Sequence, residues 1–150
     1  MAAPFLALAM DAGRLVLGIC TFNRGEAFIS TLNALAKLDR AGGRLARFVI
    51  VNNASTDDTA TVVRRFAIEH PSLPLELIDE PTPGKIHAMH RLFAHTDEPL
   101  VASIDDDTLP EPAWATTLLK AADELPRAGV LGGPVLNVWE YGPTPLARIY

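Results

Sequence analysis

An apolar run, Pro99-Leu-Val-Ala-Ser-Ile104, leads directly into three aspartates, Asp105, Asp106 and Asp107. Such a run is typical of a buried strand, and ligands of α/β proteins bind beyond the carboxyl ends of their strands. Like charges about 5 Å apart repel by roughly 1 kcal/mol in water and about 3 kcal/mol at a partly screened protein surface. The triplet therefore predicts a cation nearby, and a divalent metal is the simplest candidate.

Three more segments have the composition of strands. Leu15-Val-Leu-Gly-Ile19 is apolar throughout, Arg47-Phe-Val-Ile-Val51 is apolar after its first residue, and polar loops at 21–24 and 52–55 follow them. Leu75-Glu-Leu-Ile-Asp79 alternates in part, which predicts a more exposed strand at an edge of the sheet. We therefore expect the polar loops to converge on one cleft at the carboxyl ends of the strands.

Apolar stripes at helical spacing separate the strands. The predicted buried faces are Phe28, Leu32 and Leu35; Val62, Val63 and Phe66; Ile86, Met89 or His90, and Phe93; and Trp114, Leu118, Ala122 and Leu125. Ser55 and Asp58 have the spacing of an N-terminal capping box for the second helix. The alternation predicts an α/β fold with a mainly parallel sheet and helices on both faces.

The two ends of the chain are less regular. Gly129-Val-Leu-Gly-Gly-Pro-Val135 predicts one more strand, weakened by its glycines. We expect residues 1–13 to be a flexible tail and residues 14–150 to form one domain, since 150 residues match the size of a single domain.

Composition excludes several classes of protein. The net charge is −5, and the sequence contains no basic stripe that could follow the phosphate backbone of a nucleic acid, so we expect no nucleic-acid partner. No segment reaches the roughly 20 apolar residues of a membrane span. The single Cys20 has no partner for an internal disulfide, which fits a reducing, cytoplasmic location.

Four stretches follow one another along the chain: Gly18-Ile-Cys-Thr-Phe-Asn-Arg24, Val49-Ile-Val-Asn-Asn-Ala-Ser-Thr-Asp-Asp-Thr59, Pro83-Gly-Lys-Ile-His-Ala-Met-His90 and Ile104-Asp-Asp-Asp-Thr-Leu-Pro-Glu-Pro-Ala-Trp114. In this order they resemble the elements "PTYNR", "VVDNGSTDGT", "GKAxARN" and "DxD…PxW" of the inverting family 2 glycosyltransferases. Members of that family have the GT-A fold, a Rossmann-like nucleotide-diphospho-sugar transferase fold. Together the four stretches cover roughly residues 15–135, and the resemblance implies a domain that binds a nucleoside diphosphate sugar.

The resemblance also implies roles for residues that contact the nucleotide. Thr21, Asn23 and Arg24 would lie against the nucleotide, and Lys85 would approach the diphosphate. Asn52 stands where the family has a base-reading aspartate. An asparagine both accepts and donates hydrogen bonds, so it can read uracil, and a UDP-sugar is favoured while the base stays open.

By the same resemblance, the aspartates form the metal site. Asp105 and Asp106 would border the ribose and the metal, and Asp107, with Asp105, would bind Mg²⁺ or Mn²⁺. Magnesium needs only one or two protein carboxylates when phosphate oxygens and water complete its shell, so this cluster suffices.

Inverting members of the family also need a carboxylate general base C-terminal to the DxD region. The chain ends at Tyr150, so we expect the base beyond that residue, an incomplete acceptor-binding part and a chain truncated at its C-terminus. The acceptor is an unknown glycan, lipid or protein. Isolated, such a chain would transfer poorly or not at all, and its uncovered faces would favour a homo-oligomer.

Two other functions remain open. The first is a non-catalytic fragment that binds a nucleotide sugar. The second, less favoured, is a metal-dependent phosphatase, because Asp105 and Asp107 have the spacing of the haloacid-dehalogenase nucleophile loop, although that loop usually opens its fold. His87 and His90 imitate a metal pair on a helix but lack further ligands at a suitable spacing.

Overall fold

The computed structural model describes residues 13–136, which contain a four-stranded parallel sheet. Its strands are β1 (Leu15–Thr21), β2 (Leu45–Asn53), β3 (Leu75–Glu80) and β4 (Leu100–Asp105), in the order β3-β2-β1-β4. All three neighbouring pairs run parallel, as the alternation of elements predicted. The polar carboxyl ends of all four strands therefore lie along one edge of the sheet.

Within residues 13–136, four α-helices cover the two faces of the sheet. They are α1 (Ile29–Ala36), α2 (Thr59–Glu69), α3 (Lys85–His95) and α4 (Trp114–Glu124). The first two and α4 pack on one face around Leu17, Ile19 and Ile50, and α3 packs on the other around Val16 and Val49. The prediction of helices on both faces is confirmed.

The strands β3 and β4 lie at the two edges of the sheet, and only β3 was predicted to do so. β3 lies at an edge and is partly exposed, as its alternating sequence predicted. β4 was predicted to be buried, but its residues are half-buried or exposed. It forms the opposite edge, and within residues 13–136 no further strand covers it.

The predicted buried face of α3 was wrong for two of its residues. Ile86 and Phe93 are 83% and 52% exposed, whereas Ala88 and Leu92 are buried, and Met89, also predicted, packs against them half-buried. Leu92 fills the space above Gly18, where an added Cβ would lie 2.2 Å from Leu92 Cδ2. The glycine in β1 therefore selects the face that α3 turns to the sheet, which no periodicity within the helix reveals.

The C-terminal predictions also need correction. The deepest residues of α4 are Ala115 and Leu119; Trp114 and Leu118 are only half-buried, and Leu125 is 54% exposed. Residues 129–135 form no strand, and Val130 and Val135 are 91% and 83% exposed. Three glycines weaken the strand propensity there, and no described strand pairs with the segment.

Two expectations concern residues at the ends of the chain. The flexible tail predicted for residues 1–13 lies outside the described residues, apart from Gly13. Among residues 13–136, every helix is too short or too polar to cross a membrane.

Candidate functional site

A cleft of about 580 Å³ lies at the carboxyl ends of the strands, a volume within the roughly 300–1,000 Å³ range of small-molecule sites. Loops after β1, β2 and β4 and the first turn of α3 line it, as the sequence predicted for converging polar loops. Its polar and charged lining residues are Cys20, Thr21, Arg24, Asn53, Lys85, Asp105, Asp106 and Asp107.

The loop after β1 is held by Thr59, at the start of α2. Thr59 Oγ1 accepts hydrogen bonds of 2.9 Å from the backbone N–H groups of Arg24 and Gly25 and donates to Asp57 Oδ1. The hydrogen bond from Thr59 lowers the pKa of Asp57. Gly25 has a φ of 46°, and an added Cβ would lie 2.5 Å from Asp58 Oδ1, so the turn that presents Arg24 requires glycine.

Asn23 joins the loops after β1 and β2. Its backbone N–H donates to Ser55 Oγ at 3.0 Å, and its Oδ1 accepts from the N–H of Thr56 at 2.8 Å. The predicted capping box of Ser55 and Asp58 was therefore wrong, because the Ser55 hydroxyl binds the neighbouring loop and Asp57 accepts from the N–H of Thr59 instead. Asn23 braces the rim of the cleft rather than lining it.

Asn53 positions the loop that leads into α3. Its amide donates to the carbonyl of Thr82 at 2.6 Å, and its Oδ1 accepts from the N–H of Gly84 at 2.8 Å. These bonds set the turn directly before Lys85, the first residue of α3. The N-terminus of α3 consequently opens into the cleft, where its free N–H groups and helix dipole favour an anion.

Arg24 is bound to two of the three aspartates. Its guanidinium donates to Asp106 Oδ1 at 2.9 Å and to Asp107 Oδ2 at 3.0 Å. The hydrogen bond to Asp106 is the main reason that the pKa of Arg24 is raised, so Arg24 stays cationic at neutral pH. The carbonyl of Asp106 accepts from Thr31 Oγ1 at 2.9 Å, which ties the aspartate loop to α1.

Lys85 pairs with the remaining aspartate. Its ammonium donates to Asp105 Oδ1, and this bond raises the pKa of Lys85. Three carboxylates and two cations thus give the lining a net charge of −1, which is −3 plus +2. The repulsion predicted among the aspartates is offset in this structure by protein cations.

A divalent cation fits the chemistry of this corner. Asp105 and Asp107 side chains are 64% and 67% exposed, so an ion can reach their oxygens, the donors that Mg²⁺ and Mn²⁺ prefer. Within residues 13–136, no three His, Cys, Asp or Glu side chains gather closely enough to hold a metal by themselves. A cation here would therefore need oxygens from a ligand or from water.

Two polar atoms near the cleft are buried without a hydrogen-bond partner among the described residues. They are Thr21 Oγ1 and Asn52 Oδ1, at the ends of β1 and β2. The amide of Asn52 is engaged, since its Nδ2 donates to Asp79 Oδ1 at 2.8 Å. Unpaired buried polar atoms cost free energy, so this pair marks a place where a ligand could supply the missing partner.

Cys20 lies in the cleft as an unreactive thiol. Burial, opposed in part by Lys85, raises its pKa from 9.0 to about 11, and its Sγ lies 3.6 Å from Met89 Sδ. It is protonated at neutral pH and is no candidate nucleophile.

The structure therefore brings together most of the residues that the sequence singled out. Thr21, Arg24, Lys85 and the three aspartates line the cleft, whereas Asn23 and Asn52 are not among its lining residues. Sequence reasoning missed three residues that hold the loops: Thr31, Asn53 and Thr59. Their roles depend on contacts 29–75 residues away along the chain, which no local pattern shows.

The chain is similar to known glycosyltransferases. The family model described as glycosyl transferase family 2 matches residues 17–150. No curated protein matches the chain significantly. Among solved structures, a mannosyltransferase from Pyrobaculum calidifontis in complex with GDP-Man and Mn²⁺ is 34% identical, with a TM-score of 0.64 over 75% of this chain and 32% of its own.

More distant structures share the fold. S. aureus TarS is 21% identical, with a TM-score of 0.65 over 83% of this chain and 38% of the TarS chain. M. tuberculosis glucosyl-3-phosphoglycerate synthase, in complex with Mn²⁺, UDP and phosphoglyceric acid, is 22% identical, with a TM-score of 0.56 over 77% of this chain and 40% of its own. The present chain thus spans about a third to two fifths of the length of these structures.

Proposed function

Because the chain belongs to glycosyl transferase family 2 and has the GT-A fold, we propose that its cleft binds a nucleoside diphosphate sugar together with Mg²⁺ or Mn²⁺. The sugar would be transferred with inversion to a glycan, lipid or protein acceptor. One observation carries the proposal: three aspartates and two basic side chains meet in one cleft at the carboxyl ends of parallel strands.

The charge of the cleft supports the need for a cation. The lining has a net charge of −1, and the diphosphate of a nucleotide sugar adds about two negative charges. A divalent cation cancels the two negative charges of the diphosphate, so the net charge of the occupied site returns to −1, the value for the protein side chains alone. Without it, the excess negative charge would oppose binding in a partly enclosed site.

Within this proposal, the basic residues and the helix end bind the phosphates. Lys85, at the start of α3, and Arg24, on the loop after β1, line the same cleft and would donate to phosphate oxygens. Both are paired with aspartates in the structure, so they would exchange carboxylate partners for phosphate partners when the ligand binds.

The carboxylates would hold the cation, and the strand ends would hold the nucleoside. Asp107 and Asp105 are the proposed metal ligands, and Asp106 would border the ribose. Thr21, Asn23 and Asn52 would lie on the nucleoside side. The bound cation would stabilise the charge that develops on the departing nucleoside diphosphate.

Similar proteins of known structure bind nucleotide sugars with two different bases. The similar mannosyltransferase was solved with GDP-Man, and TarS was solved with UDP-GlcNAc. We favour a UDP-sugar, with a GDP-sugar as the alternative.

The proposal can be tested by calorimetric titration of the chain with UDP, GDP and their sugars, with and without Mn²⁺. Asp107→Ala should abolish metal-dependent binding, because it removes an exposed carboxylate from the proposed metal site. Asp123→Ala is the matched control, since Asp123 is 56% exposed and also pairs with an arginine, Arg44, but lies outside the cleft.

Loss of binding in the first variant and its retention in the second would support the assignment. Equal titrations for Asp107→Ala and the unsubstituted chain would exclude Asp107 as a metal ligand. If no nucleoside diphosphate binds the unsubstituted chain with Mn²⁺, the proposed function is wrong. Binding without transfer or hydrolysis would favour the non-catalytic alternative.

A further inference from the structure

Asp79, at the end of β3, has no role in the function proposed above, although it holds one of the proposed nucleotide-binding residues. We propose that Asp79 is a positioning residue: it fixes the amide of Asn52 so that only a hydrogen-bond acceptor is offered to the base. The site would then select bases whose ring carries an N–H group, such as uracil and guanine. This inference rests on the proposed function.

Thr21, Asn52 and Asp79 form a row across three adjacent strands. Thr21 pairs in register with Asn52, and Asn52 pairs with Asp79. Side chains alternate between the faces of a strand, so these three lie on the same face as Ile19, Ile50 and Leu77, which belong to or pack against one core cluster. Thr21 also lines the cleft, so the row extends from the cleft wall to the edge of the sheet.

The hydrogen bond to Asp79 determines which way the Asn52 amide points. A carboxylate only accepts hydrogen bonds, so the Asn52 atom facing Asp79 Oδ1 at 2.8 Å must be the NH₂ group. Arg64 Nη2 lies 4.0 Å from the other carboxylate oxygen, which places a cation beside Asp79. The remaining polar atom of the amide, Oδ1, is consequently the one left for a ligand.

That oxygen is buried and has no partner among the described residues. A donor is therefore the group that satisfies it, and an N–H in the ring of uracil or guanine is such a donor. The corresponding ring nitrogen of cytosine or adenine carries a lone pair and would face Asn52 Oδ1 as a second acceptor. An asparagine is ambiguous in sequence, but this pairing makes it act as the acceptor that an aspartate would be.

The expected selectivity follows from the cost of an unpaired buried acceptor. That cost corresponds to about a five- to thirtyfold difference in affinity. With Mn²⁺ present, the dissociation constants of CDP and ADP should exceed those of UDP and GDP by this factor. Exocyclic amino groups of cytosine and adenine can still donate, which keeps the difference moderate.

The test compares the four nucleoside diphosphates, UDP, GDP, CDP and ADP, in calorimetric titrations of three forms of the chain. Asp79→Asn keeps the size of the side chain but lets the Asn52 amide rotate, because an asparagine can accept or donate. The ratio of affinities should fall toward one. The double variant Asn52→Asp with Asp79→Asn exchanges the two groups, restores an acceptor at position 52, and should restore the ratio.

A merely structural role for Asp79 would change thermal stability, or all four affinities alike, without changing their ratio. The inference is overturned if the unsubstituted chain binds all four ligands equally, or if Asp79→Asn retains the selectivity. Failure of the exchanged pair to recover the ratio, despite a normal melting curve, would also overturn it. If the unsubstituted chain binds none of the four, the proposed function falls, and this inference with it.

Discussion

Replacing Arg24 should strengthen the binding of metal alone while it weakens the binding of nucleoside diphosphate. In the structure, Arg24 occupies oxygens of Asp106 and Asp107, at 2.8 and 3.0 Å. A cation that arrives without a nucleotide must therefore compete with the guanidinium. In Arg24→Gln that competition is removed, but so is a positive charge that would meet the phosphates.

The size of the effect follows from the exposure of the groups. Unit charges about 4 Å apart interact by roughly 4 kcal/mol at an effective dielectric constant of about 20, whereas exposed ion pairs contribute about 0.2–1 kcal/mol. The side chains of Arg24 and of Asp107, the proposed metal ligand that Arg24 occupies, are 40% and 67% exposed, so the pair that Mn²⁺ must displace is an exposed one. We expect a net effect of up to about 1 kcal/mol, which is up to about a fivefold gain in affinity for Mn²⁺.

Calorimetric titration with Mn²⁺ alone, and then with UDP in the presence of Mn²⁺, measures both effects. Arg65→Gln is the matched control, because it removes the same charge and breaks a similar ion pair, with Glu26 at 2.7 Å, outside the cleft. The reasoning is refuted if Arg24→Gln binds Mn²⁺ no more tightly than the control. Weaker Mn²⁺ binding would show instead that Arg24 holds the carboxylates in position for the metal.

Three further predictions concern residues that support the cleft. Gly18→Ala should lower the free energy of unfolding by about 1–3 kcal/mol in urea titrations, because its Cβ would overlap Leu92; an unchanged midpoint would contradict the packing. Thr59→Val should lower Tm by several degrees in calorimetry, since the N–H groups of Arg24 and Gly25 lose their acceptor; an unchanged Tm would show that water replaces it. Cys20 should react with iodoacetamide at pH 8 far more slowly in the folded chain than in the chain unfolded by urea, and equal labelling rates would contradict the raised pKa. The free energy of unfolding should also fall between pH 9 and 11, because the thiol of the unfolded chain loses its proton at a lower pH than the thiol of the folded chain.

The four strands of the described sheet were predictable because their signal is local. An unbroken apolar run such as Leu15-Val-Leu-Gly-Ile19 buries all of its side chains when helices cover both faces of the sheet, and β1 is buried accordingly. The helix faces were less predictable. Ile86 and Phe93 have helical spacing, but the pocket that Gly18 leaves in the sheet turns Leu92 inward instead. Such a choice depends on the surface that receives the helix, not on the helix.

The same division applies to the candidate site. Sequence order indicated that Arg24 and the aspartates would meet, since the carboxyl ends of parallel strands share one edge, and the resemblance to the family implied that Lys85 would join them. It did not indicate that the basic side chains would bind the aspartates themselves. Nor did it show that Ser55 would hold Asn23 rather than cap a helix, because a hydroxyl takes whichever N–H the fold brings nearest.

By itself, the sequence determined the α/β class, the parallel direction of the strands and the residue types available for chemistry. Hydrophobic periodicity and the polar residues after each strand are local patterns, formed by residues that are close together along the chain. Only the tertiary structure decided how those groups are used. The side-chain amide of Asn52 can both donate and accept, but its NH₂ group donates to Asp79, 27 residues away, which leaves its oxygen as an acceptor. Contacts between distant segments select among the hydrogen bonds that each side chain could make, and that selection defines the site.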